Sequence, residues 1–209
     1  MESVLAPEVA AIIHKGGIAK NKAAFLRLLE QEDDEGYVYS FPLLQPEFCA
    51  RLVQEKAAFL EFSRGAPRPG RSESSALKHF GCRWLDEQLL EHLLVPMSEL
   101  IFPTMLEATS LDWCHGYIAS YQAAASEEEQ AVAEPAVRRF GDKLNAHTDD
   151  SEVTLNVGLV DTFTGGELHF RHIRGTDWEG KTEPFSYMPQ VGIGLIHMGR
   201  HLHEVVRLS

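Results

Sequence analysis

The sequence predicts an α+β fold, with helices first and an all-β core after them. Three observations carry that expectation. The chain has 209 residues, 44% of them apolar, which suits one domain with a proper core, or one domain with an appendage. Its first half repeats apolar residues at helical spacing. From residue 113 onward, short runs of β-type residues alternate with turn signals.

Taken in order, residues 1–35 read as short helices. In "KNKAAFLRLLEQED" (20–33), Phe25, Leu28 and Leu29 recur at helical spacing, with good helix formers between them. "YVYSFPLL" (37–44) reads as a strand, because aromatic and β-branched side chains favour a pleated surface. "PEFCARLVQEKAAFLEF" (46–62) is an amphipathic helix with Phe48, Leu52, Val53, Phe59, Leu60 and Phe62 as its expected buried stripe. "SRGAPRPGRSESS" (63–75) is a surface loop by its glycine, proline and serine content. "WLDEQLLEHLLVPMSELIFPTML" (84–106) is helical again, broken near Pro96 and ending around Pro103. The expected strands are "HGYIASYQ" (115–122), "EVTLNVGLV" (152–160), "GELHF" (166–170) and "GIGLIHM" (192–198). Between the first two, "AAASEEEQAVAEPAVRR" (123–139) is a solvated helix or an insertion. The chain therefore divides into an N-terminal helical segment (1–35), a supporting strand and helices (36–110), and a β core (111–209).

Composition removes several classes of function. No run of 18 or more apolar residues occurs, so no membrane span is expected. "MESVLAPEVAAIIHKGG" lacks a basic start and is interrupted by Pro7 and Glu8, so it does not read as a secretory leader. Cys49, Cys82 and Cys114 are odd in number and scattered, which suggests free thiols in a reducing compartment and favours the cytoplasm. A formal charge of −12 argues against nonspecific nucleic-acid binding, which needs lysine and arginine against phosphates.

The chemistry-bearing stretch is "NAHTDD" (145–150). On a strand, side chains two apart share a face, so His147 and Asp149 can aim at one point. A third ligand would complete a set of two histidines and one carboxylate. Such a set occupies one face of an octahedron and leaves three positions open, as in non-haem iron oxygenases. The closing stretch "VGIGLIHMGRHLHEVVRLS" offers His197, His201 and His203, which share parity, so spacing does not choose among them. The same donors suit zinc with an activated water, which would make a hydrolase.

At these residues the sequence resembles the Fe(II)/2-oxoglutarate dioxygenases of the prolyl 4-hydroxylase α-subunit-like class. The likeness is nearest to the 2-oxoglutarate- and iron-dependent oxygenase domain-containing proteins. It is carried by "HTDDSEVTLNVGLVDTFTGGELHF" (147–170), with its Gly165-Gly166 pair, and by "VGIGLIHMGRHLHEVV" (191–206), with His197, Gly199 and His203. Weaker likeness runs back through "SFPLLQPEFCARL" (40–52) and the helices to about residue 106. The resemblance implies a double-stranded β-helix, a jelly-roll barrel supported by the N-terminal helices. It implies His147, Asp149 and His203 as ligands of Fe(II), with His201 at a non-ligand position. It implies 2-oxoglutarate as cosubstrate, with Tyr121 and Asn156 lining its pocket, and L-ascorbate as a possible reductant. The implied reaction hydroxylates a protein side chain or a small molecule and releases succinate and CO2.

The pattern is incomplete in one respect. Relatives anchor the far carboxylate of 2-oxoglutarate with an arginine or lysine on the last barrel strand, and here Ser209 stands only six residues past His203. Arg207 is at the wrong position for that role. The expectation is a barrel lacking its last strand, from a chain truncated at its C-terminus. A non-catalytic metal-binding module on the same barrel is therefore the alternative reading, and a zinc hydrolase the third. Substrate recognition is expected in "RHIRGTDWEGKTEPFSYMPQ" (171–190), a rim or lid with Trp178, Phe185 and Tyr187.

Overall fold

A computed structural model describes residues 3–34, 37–62, 76–104, 111–121, 143–174 and 184–208. The helices are α1 (Pro7–His14), α2 (Lys22–Leu26), α3 (Pro46–Phe62), α4 (Arg83–Leu89) and α5 (Val95–Ile101). Strands β1 (Glu30–Gln31) and β2 (Val38–Pro42) lie between α2 and α3. After the helices come β3 (Leu144–His147), β4 (Val153–Val157), β5 (Leu168–Ile173), β6 (Phe185–Tyr187), β7 (Ile193–Met198) and β8 (His201–Val205). They form two antiparallel sheets, ordered β1-β2-β7-β4 and β3-β8-β5-β6. The fold is α+β.

Alternation along the strands explains how the layers stack, because successive side chains leave opposite faces. On one face of the first sheet, Phe41, Ile196 and Met198 join Phe25, Phe48, Leu52, Met97 and Phe102 in the helix-side core. On the other face, Val38 and Leu195 meet Leu168, Phe170, Tyr187 and Val205. The last four belong to the second sheet, so the two sheets pack against each other over a small inner core. Burying each such side chain stabilises the fold by about 1.5–3 kcal/mol, which fixes the helices on one side of β7 and the second sheet on the other.

Several elements differ from the sequence expectation. Helix α2 stops at Leu26, and residues 30–31 pair with β2 instead of continuing the helix to 33. The cause is Asp33, whose carboxylate accepts hydrogen bonds from the Tyr37 and Val38 N–H groups at 2.9–3.0 Å and closes the reversal. Helix α3 has the expected bounds, but Phe62 at its end is 90% exposed. Lys56 is buried in its place on the inner side, and its Nζ donates to the Ile118 carbonyl and the Ser120 Oγ, both at 2.6 Å. The break near Pro96 takes the form of one wide π-helical turn, Leu90–Leu94, between α4 and α5. A proline cannot donate a backbone bond, and the wider turn accommodates that gap.

The segment expected as a strand at 115–122 makes an isolated bridge, Ala76 with Tyr117, and no ladder among the described residues. The single histidine-bearing run at the end is in fact two strands in different sheets. The turn at Gly199 and Arg200 carries the chain from β7 to β8, so parity does not run through from His197 to His203. The loop at 63–75, the Ala/Glu-rich segment at 123–139 and Trp178 lie outside the described residues. No described helix is long and apolar enough to cross a membrane.

Candidate metal centre

His147 ends β3 and His203 sits in β8 as its direct cross-strand partner. Their rings lie 4.5 Å apart between centroids. Asp149 is not on the strand with His147, as the i, i+2 argument assumed; it lies in the turn that follows. Its backbone N–H donates to the Gly199 carbonyl at 2.8 Å, and the Gly199 N–H donates to the Glu152 carbonyl at 3.0 Å. Those two bonds lash the turn after β3 to the turn between β7 and β8. Gly199 permits the approach, because a Cβ there would run into the Ser151 carbonyl. As a result one ligand-type atom from each of His147, Asp149 and His203 lies within 4.8 Å of the others.

The hydrogen bonds around this trio orient its rings and select their tautomers. His147 Nδ1 donates to the Asn145 carbonyl at 3.0 Å, and His203 Nδ1 donates to the His201 carbonyl at 2.9 Å. A backbone carbonyl accepts only, so each Nδ1 carries a proton, and in the neutral ring the lone pair lies on Nε2. Both Nε2 atoms face Asp149, at 3.4 Å for His147 and 3.8 Å for His203. Asp149 is itself steadied by Thr154, whose hydroxyl donates to Oδ2 at 2.6 Å, with Ser151 Oγ 2.8 Å from the same hydroxyl. Burial pushes the His203 imidazole below its usual range, although the His201 carbonyl and Asp149 oppose the shift. A neutral imidazole with a bare Nε2 is the form a divalent metal takes. The trio is graded in access: the His203 side chain is 6% exposed, Asp149 24% and His147 34%. One flank is therefore closed and the other open to an incoming molecule.

The other histidines have different work. His197 is fully buried. Its Nδ1 donates to the Met198 carbonyl at 2.8 Å, and its Nε2 accepts from Asn156 Nδ2 at 3.1 Å, so neither nitrogen is available to an ion. Its ring stands edge-on to His203, 4.8 Å away. His201 is packed between Phe170 and Phe185, and burial drives its imidazole down to about 3. Asn156 is thus the clamp that keeps His197 beside His203. Tyr121 packs on the inner core with Phe170, whose ring stacks on His203 at 5.6 Å. Burial first, then the charges of Tyr117 and Asp149, raise the Tyr121 hydroxyl far above the usual phenol range. Sequence reasoning missed Thr154 and the strapping role of Gly199. The signal for Thr154 was present: it shares strand parity with Asn156, two residues on.

Comparison with known proteins points to one family. The model of the OGFOD2-like domain matches residues 1–107, the helical half together with β1 and β2. The 2-oxoglutarate and iron-dependent oxygenase domain-containing protein ICU11 of Arabidopsis thaliana is 30% identical over 178 residues, covering 79% of this chain and 40% of that protein. The 2-oxoglutarate and iron-dependent oxygenase domain-containing protein 2 of Xenopus tropicalis is 30% identical over 213 residues, covering all of this chain and 56% of the relative. Its Homo sapiens counterpart is 28% identical over 209 residues, at 97% and 54%. The chain spans about half the length of these curated relatives. The family model covers the half that supports the sheets, and the full-length alignments carry the match through the half that bears the trio. The chain belongs to the OGFOD2-like family of 2-oxoglutarate- and iron-dependent oxygenase domain proteins.

Proposed function

We propose that this chain is an Fe(II)- and 2-oxoglutarate-dependent oxygenase, with residues 111–209 as a jelly-roll core and His147, Asp149 and His203 as the metal ligands. The observation that carries the reading is the convergence of three donors within 4.8 Å, with both histidines fixed as Nδ1–H tautomers by backbone carbonyls. Two imidazoles and one carboxylate fit a divalent first-row metal and leave half of an octahedral sphere for other molecules. Iron with 2-oxoglutarate and dioxygen supplies the oxidising chemistry, with succinate and CO2 as co-products.

The protein's own part is geometric and electrostatic. Backbone carbonyls of Asn145 and His201 orient the two imidazoles, and Thr154 orients the carboxylate. Phe170 and His197 close the buried flank and exclude water from it. Tyr121 stays a protonated hydroxyl at every physiological pH, so it serves as a hydrogen-bond donor to the cosubstrate. Asn156 lines the same pocket through its hold on His197. The substrate is a protein side chain or a small molecule, ascorbate keeps the iron reduced, and a reducing cytoplasmic setting suits both the iron and three free cysteines.

Anaerobic titration with Fe(II) and then 2-oxoglutarate tests this. The expected result is a visible charge-transfer band from the bidentate keto acid, lost in His147→Ala. Tight zinc binding with no such band under Fe(II) would replace the oxygenase with a hydrolase or a non-catalytic metal module.

A further inference from the structure

Residues 113–120 alternate strictly between solvent and interior, and the two faces have different characters. Inward, Cys114 Sγ donates to the Asp86 carbonyl at 3.3 Å, Ile118 is buried, and Lys56 holds the Ile118 carbonyl and Ser120. Gly116 leaves room for the Asp86 side chain, which a Cβ would strike. Outward stand Trp113, His115 and Tyr117, all exposed, with Trp113 at 75% and Tyr117 at 47%. Their rings form a row: Trp113 stacks on His115 at 6.0 Å with 17° between planes, and His115 lies 5.7 Å from Tyr117.

We propose that this row is a docking rail for an extended peptide bearing lysine or arginine side chains, which it leads toward the His147–Asp149–His203 centre. Its end point rests on the oxygenase reading above; binding along it does not.

Four observations argue for that occupant. The ring spacing of about 6 Å is close to the two-residue repeat of an extended chain, about 6.5–7 Å, so alternate side chains of a strand fall on successive rings. Aromatic faces attract lysine and arginine through the ring quadrupole. The surroundings are acidic: Asp112 is exposed beside Trp113, the Asp86 carboxyl lies against Gly116, and the whole chain carries −12. Single-stranded nucleic acid also stacks on such rows, but its phosphates need a basic groove, which this charge opposes. Finally, the row points inward at one end. Four residues beyond Tyr117 the chain reaches Tyr121, which packs on the inner core that holds Phe170, and the Phe170 ring stacks on His203 at 5.6 Å. With its inner face pinned, the rail is ordered before anything binds, which reduces the entropy lost on association.

Fluorescence anisotropy tests it with a labelled peptide of alternating lysine and threonine, the threonines keeping it extended. The matched glutamate–threonine peptide and oligouridine serve as the other arms. The comparison that decides is Trp113→Ala with Tyr117→Ala against Trp113→Phe with Tyr117→Phe. None of these changes alters charge, and both residues are exposed, so the core is untouched. The expected result is that the lysine peptide binds, the alanine pair weakens it at least about tenfold, and the phenylalanine pair stays within about threefold of the parent. Equal binding by the alanine pair overturns the rail, and so does equal or tighter binding of the glutamate peptide or the RNA. Peptide binding that survives all three checks, in a chain that shows no charge-transfer band, sinks the oxygenase reading and leaves the rail standing.

Discussion

Thr154 illustrates how much of the site depends on side chains that would never touch a metal. Its hydroxyl donates to Asp149 Oδ2 and so decides which carboxylate lone pairs face the two Nε2 atoms. Thr154→Val keeps the β-branched shape on β4 but removes the donor. Metal affinity should fall about 10–100-fold, as outer-shell losses do, and Thr154→Ser should restore most of it. Isothermal titration with Co(II) reads the difference. The histidines give a sharper contrast. His201 is two residues from His203 on the same face of β8, and spacing alone does not separate them. The structure does: the His201 ring lies against Phe170 and Phe185, and only its backbone carbonyl serves the site. His201→Phe should therefore keep Co(II) affinity within about threefold, since the carbonyl that orients His203 remains. His203→Phe should abolish specific binding. Equal losses in the two variants would mean that the ligand set has been misassigned.

At the scale of elements, legibility in the sequence follows the strength of local pattern. Helix α3 is readable because its seventeen residues from Pro46 to Phe62 carry a recurring apolar face, broken on the buried side only at Lys56. Strands β4 and β7 are readable because β-branched and aliphatic residues cluster between turn signals. Strand β6, three residues long, and the short β3 carry too little periodicity to stand out, and they exist because their partners β5 and β8 supply the ladder. The 113–121 segment misleads in the opposite direction. It alternates like a strand, yet its backbone is secured by side chains of the helical layer. Lys56 is the chief of these, and no reading of a helix stripe would place a lysine there. Lys56→Met keeps the length of the side chain and removes the donor, leaving the Ile118 carbonyl unsatisfied in a buried setting. The expected cost is about 1–3 kcal/mol of stability, seen as a lower urea midpoint with an unchanged slope. Because Ser120 and Tyr121 are adjacent, the same variant should also weaken any 2-oxoglutarate-dependent signal while leaving Co(II) affinity near its parent value.

The two sheets are held to each other at the small inner core, and the candidate centre sits at the edge of their contact. Tyr187 shows how the two layers are coupled. It belongs to β6 of the second sheet, packs with Val38 and Leu195 of the first, and its hydroxyl is buried with no hydrogen-bond partner. Burial pushes this phenol up to about 12, with the charges of Glu32 and Glu30 adding to the shift. The sign of the consequence follows from linkage. An unfolded tyrosine loses its proton near 10, while the folded one keeps it until about 12, so the folded state binds more protons between those values. Stability is unaffected below pH 10 and falls as pH rises through the window from 10 to about 12. Tyr187→Phe removes the ionisable group and keeps the ring in the inter-sheet core. At pH 7 the variant should match or slightly exceed the parent, because the change removes a buried hydroxyl that nothing satisfies. Above pH 10 its stability curve should run flatter than the parent's, so its margin over the parent widens as pH rises. Urea unfolding at pH 7, 9 and 11 measures this directly. A gap that stays constant across that range would mean that the Tyr187 hydroxyl reaches water and that the sheets are less tightly joined at this point than their packing indicates.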